Sequence, residues 1–256
     1  MKPFYTLNFN ARVCKMSVSV GGVPLIRLEV KGQCSSRIPF NNLLLESGYA
    51  TIRYEALPLK GDLHLRKEAY LDCEVELYDL DTGNEPVSKM AHYESSPHDD
   101  KLLPLIVNEK VFPVTVPYTI VGWQKSVNLD RYENYIRTMV FNKYNSIIAM
   151  MKTRDFVQYE NAFKDRVEIL GTCFYMTKEA VDECNKATEE LIVNSSRIVP
   201  LSELDIIEYA ADKRLVRLIK TDGNSSLRVV NDEEEEETTI DLWLHIKPGS
   251  SQLTII

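Results

Sequence analysis

The stretch from Asn128 to Lys152, NLDRYENYIRTMVFNKYNSIIAMMK, decides how the rest of the chain is interpreted. Its apolar residues recur every three or four positions, which predicts a long amphipathic helix with one face against a core. Asn128 is a suitable N-cap residue for this helix, and Asp130 would lie favourably in its first turn. Strand patterns precede the stretch and a helix-then-strand pattern follows it, so we expect it to begin a second domain.

The residues before this helix have the pattern of short strands. Polar and apolar residues alternate from Arg12 to Val20 and from Ile26 to Lys31, with Gly21-Gly22 between them. Such alternation predicts half-buried strands, and the two glycines suit a type I′ turn. Further strands are predicted at Tyr49–Leu57, Ala69–Leu80, Val87–Tyr93 and Val111–Trp123. Several short strands at even spacing predict an antiparallel β-sandwich over residues 1–125.

One run within this region resembles a known kind of domain. Residues Asn42–Ile52, NLLLESGYATI, are similar to the LLxxGxxxIxV run of jelly-roll sandwiches that accompany many carbohydrate enzymes. The resemblance implies a sandwich fold. Accessory sandwiches of that kind often do no chemistry themselves, so it implies no activity.

Two further helices are predicted after Lys152. Asp155 and Gln158 form a capping-box arrangement that opens the second helix, and the third begins near Thr177. The apolar stripe of the third helix predicts four buried side chains, those of Val181, Cys184, Leu191 and Ile192. After Pro200 the pattern changes to alternating strands at Asp205–Tyr209, Arg214–Lys220, Ser226–Val230, Thr238–Ile246 and Leu253–Ile256. Residues 126–256 are therefore predicted to form an α+β domain of three helices and a C-terminal antiparallel sheet.

This order of elements resembles the cone-shaped NTF2-like fold, in which helices lie in the concavity of a curved sheet. The points of likeness are the long first helix, the transition MMKTRDFVQYENAF at Met150–Phe163, and the final strand at Gln252–Ile256. That family includes pocket enzymes and plain binding modules, so the resemblance implies a fold without fixing a function.

The charge is unevenly distributed between the two predicted domains. Residues 1–125 hold 14 Lys and Arg against 15 Asp and Glu, a net of 14 − 15 = −1, whereas residues 126–256 hold 16 against 23, a net of 16 − 23 = −7. An acidic second domain argues against nucleic-acid binding, because phosphate contacts need a basic face. The five cysteines have no metal-type spacing and no secretory signal or membrane-length apolar segment is seen, which predicts reduced thiols in a cytoplasmic protein.

The sequence contains no pattern that predicts catalysis or a cofactor. No nucleophile elbow, metalloprotease helix, dinucleotide fingerprint or phosphate loop occurs, so no catalytic residue is predicted. His92, His98 and Asp99 lie in a polar cluster that could supply metal ligands, but a solvated loop is the favoured interpretation. The most unusual composition is the acidic run that contains Glu233, Glu234, Glu235, Glu236 and Glu237, predicted to form a charged hairpin tip.

Two functional hypotheses follow. The first is a non-enzymatic protein-interaction module that binds a basic protein through its acidic C-terminal domain; one version is an immunity- or inhibitor-like protein that covers a toxin or nuclease. The alternative is a small-molecule-binding or enzymatic protein with an NTF2-like pocket between the first long helix and the final sheet. An apolar filling of that space would count against the alternative.

Overall fold

The computed structural model of the chain describes residues 1–83, 85–96 and 102–256. The chain divides into two compact units, Met1–Ile120 and Val121–Ile256; the domain boundary predicted from the sequence lies between residues 125 and 126. The three helices and the antiparallel strands of the described residues belong to the mixed α+β class that the sequence predicts.

The first unit is built from strands. Their bounds are β1 (Pro3–Val20), β2 (Val23–Pro39), β3 (Gly48–Leu57), β4 (Tyr70–Asp79), β5 (Ser88–Glu94) and β6 (Ile106–Val114). All six belong to one antiparallel sheet in the order β5-β4-β1-β3-β6, with β2 also paired to β1, and β5 approaches β6 so that the sheet is nearly closed. A sandwich of two separate sheets is not confirmed, because the 18-residue β1 joins all the strands into one sheet.

A bulge at Val13 explains how β1 serves two neighbours on one edge. Val13 has a φ of 47°, and the β1–β2 register shifts between Arg12 and Cys14. On one side of the bulge β1 pairs with β4, and on the other it pairs with β3. The buried positions change from odd to even numbers at the bulge: Tyr5, Leu7, Phe9 and Ala11 precede it, and Cys14, Met16, Val18 and Val20 follow it. The extra residue keeps both halves facing the same core.

Two strand predictions in this unit have clear outcomes. The Gly21-Gly22 hairpin turn is confirmed, since both glycines have positive φ and Val20 pairs with Val23. The strand predicted at Val111–Trp123 is shifted, because β6 ends at Val114. The chain after β6 leaves the ladder where Val116 exchanges two hydrogen bonds with the Ser47 hydroxyl, both 2.9 Å.

The second unit contains all the α-helices of the described residues and two small sheets. Its elements are α1 (Ile136–Thr153), α2 (Phe156–Cys173), α3 (Lys178–Asn194), β7 (Arg197–Ile198), β8 (Ile206–Ala210), β9 (Leu215–Ile219), β10 (Arg228–Asn231), β11 (Glu236–Thr239), β12 (Leu244–Ile246) and β13 (Leu253–Ile255). The sheet orders are β11-β10-β7 and β13-β12-β9-β8. The predicted strand Thr238–Ile246 is divided between the two sheets, so the single curved sheet of an NTF2-like cone is not confirmed.

The helix predicted from Asn128 begins at Ile136 instead. Leu129–Tyr132 forms a 3-10 turn, which Asn128 caps by accepting a hydrogen bond from the Asp130 amide (2.9 Å). The Leu129 amide donates to the backbone carbonyl of Lys213 (2.9 Å) in the turn between β8 and β9. This tertiary bond fixes the 3-10 turn against the β8–β9 turn, and the α-helix begins only at Ile136. The starts of α2 after Asp155 and of α3 after Thr177 are confirmed.

The core of the second unit fills the space between α1 and the sheets. The buried side chains of α1 are Ile136, Val140, Tyr144, Ile147, Ile148 and Met151. They pack in one cluster with residues of β9, β12 and β13 such as Val216, Leu244 and Ile255. The Tyr144 hydroxyl donates to the Leu242 carbonyl (2.9 Å) and accepts from the Leu218 amide (3.0 Å), so this buried polar group is satisfied. None of the helices among the described residues is long and apolar enough to cross a membrane.

Candidate functional site

The acidic run Asp232–Glu237 lies at the tip of the hairpin formed by β10 and β11, where the sequence predicts it. Asn231 Oδ1 accepts a hydrogen bond from the Glu233 amide (3.1 Å), and Ser196 Oγ accepts one from the Asp232 amide (2.9 Å). These bonds hold the backbone of the turn, while the six acidic residues are exposed. The tip therefore presents its carboxylates on a fixed backbone.

The six carboxylates differ in whether a cation neutralises them. Glu237 pairs with Arg228 (2.6 Å), and Asp232 pairs with Arg197 (3.5 Å). The side chains of Glu233–Glu236 have no ion-pair partner within the part of the chain that the structure describes. Adjacent like charges repel each other, and a cationic ligand would relieve that repulsion. These four carboxylates are the chemically unsatisfied part of the hairpin, which we call the acidic tip.

A buried arginine anchors the base of the hairpin. Arg228 is only 5% exposed and donates to Glu237, to Asp222 (2.8 Å) and to the Ser225 carbonyl (2.7 Å). The hydrogen bond from Arg228 lowers the pKa of Asp222. Because a buried guanidinium is held by several acceptors, the hairpin has a fixed base from which the acidic tip projects.

A groove of about 860 Å³ lies between α2 and α3. Its apolar lining comes from Tyr159, Phe163, Val167, Leu170, Val181 and Ile240. Three carboxylates, those of Glu160, Glu168 and Glu189, lie among the lining residues. Ile240 directly follows β11, so this lining residue and the acidic hairpin belong to one continuous stretch of chain.

The third helix covers far less of the core than its sequence predicts. Of Val181, Cys184, Leu191 and Ile192, only Ile192 is buried, Val181 and Leu191 are half-buried, and Cys184 is exposed. The prediction is therefore wrong for three of the four side chains. The physical reason is that an apolar stripe shows which face avoids water but does not supply a neighbour, and the main contacts of α3 are with α2 and β10.

The residues singled out as metal ligands do not assemble a site in the described structure. His92 Nε2 contacts Asp72 Oδ1 (2.9 Å) across the β4–β5 pair, which is an ordinary cross-strand contact. His98 and Asp99 lie outside the described residues. Among the described residues, no group of three or more His, Cys, Asp and Glu side chains is arranged to hold a metal ion.

One pair of residues has the chemistry of a nucleophile and a base but is inaccessible. Ser126 Oγ and His245 Nδ1 lie 2.6 Å apart, and the two residues are 2% and 3% exposed. Burial lowers the pKa of His245 to about 4, and its Nε2 has no hydrogen-bond partner within the described residues. A substrate could not reach this pair without unfolding the unit. It is a structural link between the start of the second unit and β12.

Comparison of the chain with protein-family models, with curated proteins and with solved structures finds no match.

Proposed function

We propose that this chain is a non-enzymatic interaction protein that binds a basic protein through the acidic tip. In the version that we favour, it acts like an immunity or inhibitor protein that covers the cationic surface of a toxin or nuclease. The observation that carries the proposal is the row of four exposed carboxylates, Glu233–Glu236, without a cation partner among the described residues. A fixed row of like charges costs electrostatic energy in the free protein, and binding a basic surface recovers it.

The surroundings of the tip support this interpretation. The second unit carries most of the net charge of −8, so the long-range field around the tip is also negative. Such a field accelerates encounter with a basic partner and is weakened by salt, because screening acts within about 10 Å at 0.1 M ionic strength. The proposal therefore includes a kinetic property, a fast and salt-sensitive association.

The alternative of an NTF2-like pocket receives less support. Its pocket would lie between α1 and the sheets, and that space holds the packed side chains of the core cluster, Tyr144 and Ile147 among them. We further propose a cytoplasmic location, which is supported by five cysteines that are all free thiols.

The proposal is tested by removing the charges of the acidic tip. The probe is a lysine-rich peptide of about 20 residues, and its association rate is measured by stopped-flow fluorescence at low and high salt. The variant Glu233→Ser, Glu234→Ser, Glu235→Ser, Glu236→Ser should associate about tenfold more slowly at low salt and lose most of its salt dependence.

A matched control distinguishes the effect of the acidic tip on the association rate from the effect of total net charge. The variant Glu46→Ser, Glu68→Ser, Glu85→Ser, Glu109→Ser removes the same charge from exposed positions of the first unit. Its association rate should stay within about twofold of the unmodified chain. Equal slowing in the two variants would show that the peptide responds only to total charge, and the proposed role of the tip would be lost.

A further inference from the structure

The groove between α2 and α3 is an apolar surface that the fold leaves open. The two helices are connected by a short turn, and near that turn Gly171 lets them approach closely: a Cβ at Gly171 would lie 3.3 Å from Val181 Cγ2. The groove of about 860 Å³ is lined from Tyr159 to Thr172 on α2 and from Val181 to Glu189 on α3. A stripe that is apolar in sequence and half-exposed in the fold has the character of a binding surface.

The amount of apolar surface left open is large for helices of this length. α2 buries only Tyr159, Phe163 and Cys173 over 18 residues, and α3 buries only Ile192 over 17 residues. Val167, Leu170 and Val181 are half-buried and line the groove. A groove between two helices fits the apolar face of a third helix, in which anchors recur at positions i, i+3 or i+4, and i+7.

The charges around the groove indicate whether its partner is positively or negatively charged. Glu160, Glu168 and Glu189 line it and have no ion-pair partner within the described part of the chain. Two basic residues also line the groove, Lys164 and Arg166, and Arg166 donates a hydrogen bond to the Asp241 carbonyl. α2 holds two basic and three acidic residues and α3 holds two and five, so their combined net charge is (2 − 3) + (2 − 5) = −4. The acidic tip lies near the C-terminal end of α3, because Glu234 and Glu236 line a small cavity together with Leu191 and Asn194.

We infer that this groove binds the apolar face of a basic amphipathic helix supplied by the partner protein. The inference rests on the proposed function and deepens it: the groove holds the apolar anchors of the partner helix, and the carboxylates of the rim and of the acidic tip contact its lysines and arginines. The lining of the groove runs from Tyr159 to Thr172 on α2, about 20 Å at 1.5 Å per residue, and from Val181 to Glu189 on α3, about 12 Å, which accommodates a partner helix of about two to four turns.

The exposed thiol of Cys184 provides a direct reporter for this site. Cys184 lines the groove and is exposed, Cys34 is partly exposed, and Cys14, Cys73 and Cys173 are buried. In a Cys34→Ser background, thiol labelling of the folded chain therefore reports on Cys184. A helix seated in the groove should slow that labelling, whereas a peptide held only at the acidic tip should not.

The experiment uses the full chain and two peptides of about 16 residues with identical Leu and Lys composition. One peptide carries leucines at helical spacing, and the other carries them in scrambled order. Affinity is measured by fluorescence anisotropy, and Cys184 labelling is followed with a maleimide. We expect the amphipathic peptide to bind at least about tenfold more tightly than the scrambled one and to slow labelling about tenfold.

A pair of matched variants locates the binding. Val167→Gln with Leu170→Gln makes the groove polar, and Val157→Gln with Val193→Gln makes the same change outside the lining residues. The groove variant should lose the preference for the amphipathic peptide, and the control variant should keep it. Protection of Cys184 in the chain with its groove intact tests the proposal even if the groove variant does not fold.

The outcomes separate this inference from the proposed function. If both peptides bind alike and neither protects Cys184, the groove proposal is overturned, while the salt-sensitive attraction to the acidic tip remains testable on its own. If the four Glu→Ser changes at the tip leave the binding of both peptides unchanged, the proposed function fails instead.

Protection of Cys184 by a fatty acid but not by the peptide would assign the groove to a small apolar ligand. A doubled mass in light scattering with Cys184 already protected would assign it to a second copy of the chain.

Discussion

Helices α1 and α3 have nearly the same length and opposite relations to the fold. α1 has 18 residues, buries six side chains and begins without a side-chain N-cap. α3 has 17 residues, buries one side chain and begins at Thr177, whose hydroxyl accepts a hydrogen bond from the Ala180 amide (3.3 Å). α1 is therefore stabilised by tertiary packing, and α3 depends more on its own local signals. An amphipathic stripe can therefore serve either the fold or a surface, and its neighbours decide which.

The largest expected effect is the loss of stability when a buried side chain of α1 is truncated. Ile147 is fully buried in the cluster between α1 and the sheets, so Ile147→Ala should lower the free energy of unfolding of the second unit by about 3–4 kcal/mol. Both tryptophans, Trp123 and Trp243, lie in this unit, so their fluorescence during urea unfolding reports on it alone. Val193→Ala, at a position of α3 that is 38% exposed, is the matched change and should cost at most about 0.5 kcal/mol. Similar losses in the two variants would contradict the division of roles between the helices.

The second effect is a pH dependence that belongs to the α1 core and not to α3. Burial lowers the pKa of His245 from 6.5 to about 4, so the unfolded chain takes up a proton between these values that the folded chain does not. Stability from this group is therefore complete above pH 6.5 and is lost as the pH falls towards 4, by about 3 kcal/mol in total.

His245→Gln should remove this part of the pH dependence, because glutamine does not titrate. Urea unfolding followed at pH 7, 5.5 and 4.5 measures the slope in both proteins, and the difference between the slopes isolates His245 from the carboxylates. An identical slope in the variant would mean that His245 is protonated as easily in the folded unit as in the unfolded chain. Exchange of α3 amides should show no such dependence on His245, since the helix lies outside its contacts.

The sequence predicted local features well and tertiary ones poorly, and α1 and α3 show why. The Gly21-Gly22 turn, the Asp155 cap and the start of the third helix near Thr177 are confirmed, because each depends on residues within a few positions of one another. The predicted start of α1 is wrong because Leu129 and Tyr132, three residues apart, fit the apolar spacing of an α-helix but belong to a separate 3-10 turn.

The same distinction between local and tertiary features applies to the candidate site. The acidic hairpin tip was predicted because six successive carboxylates between two strands are a local signal. The groove was missed because the stripe of α3 has the same spacing whether a neighbour covers it or not. The one signal that could have indicated exposure is the charge of α3, whose five acidic residues outnumber its two lysines.

The smallest expected effect is the loss of helix stability when the cap at the start of α3 is removed. Thr177→Ala removes the side-chain cap and should cost about 1 kcal/mol, and Thr177→Ser, which keeps the hydroxyl, should cost much less. Because α3 makes few buried contacts, it can open without the rest of the unit, so the loss should appear as about fivefold faster hydrogen exchange in α3 while α1 amides are unchanged. Faster exchange in both helices would mean that α3 and α1 open together, and the surface role of α3 would then need the core to be disrupted. If the faster exchange is confined to α3, a partner bound in the groove can stabilise this helix. The amphipathic peptide should then restore slow hydrogen exchange of the α3 amides in the Thr177→Ala variant.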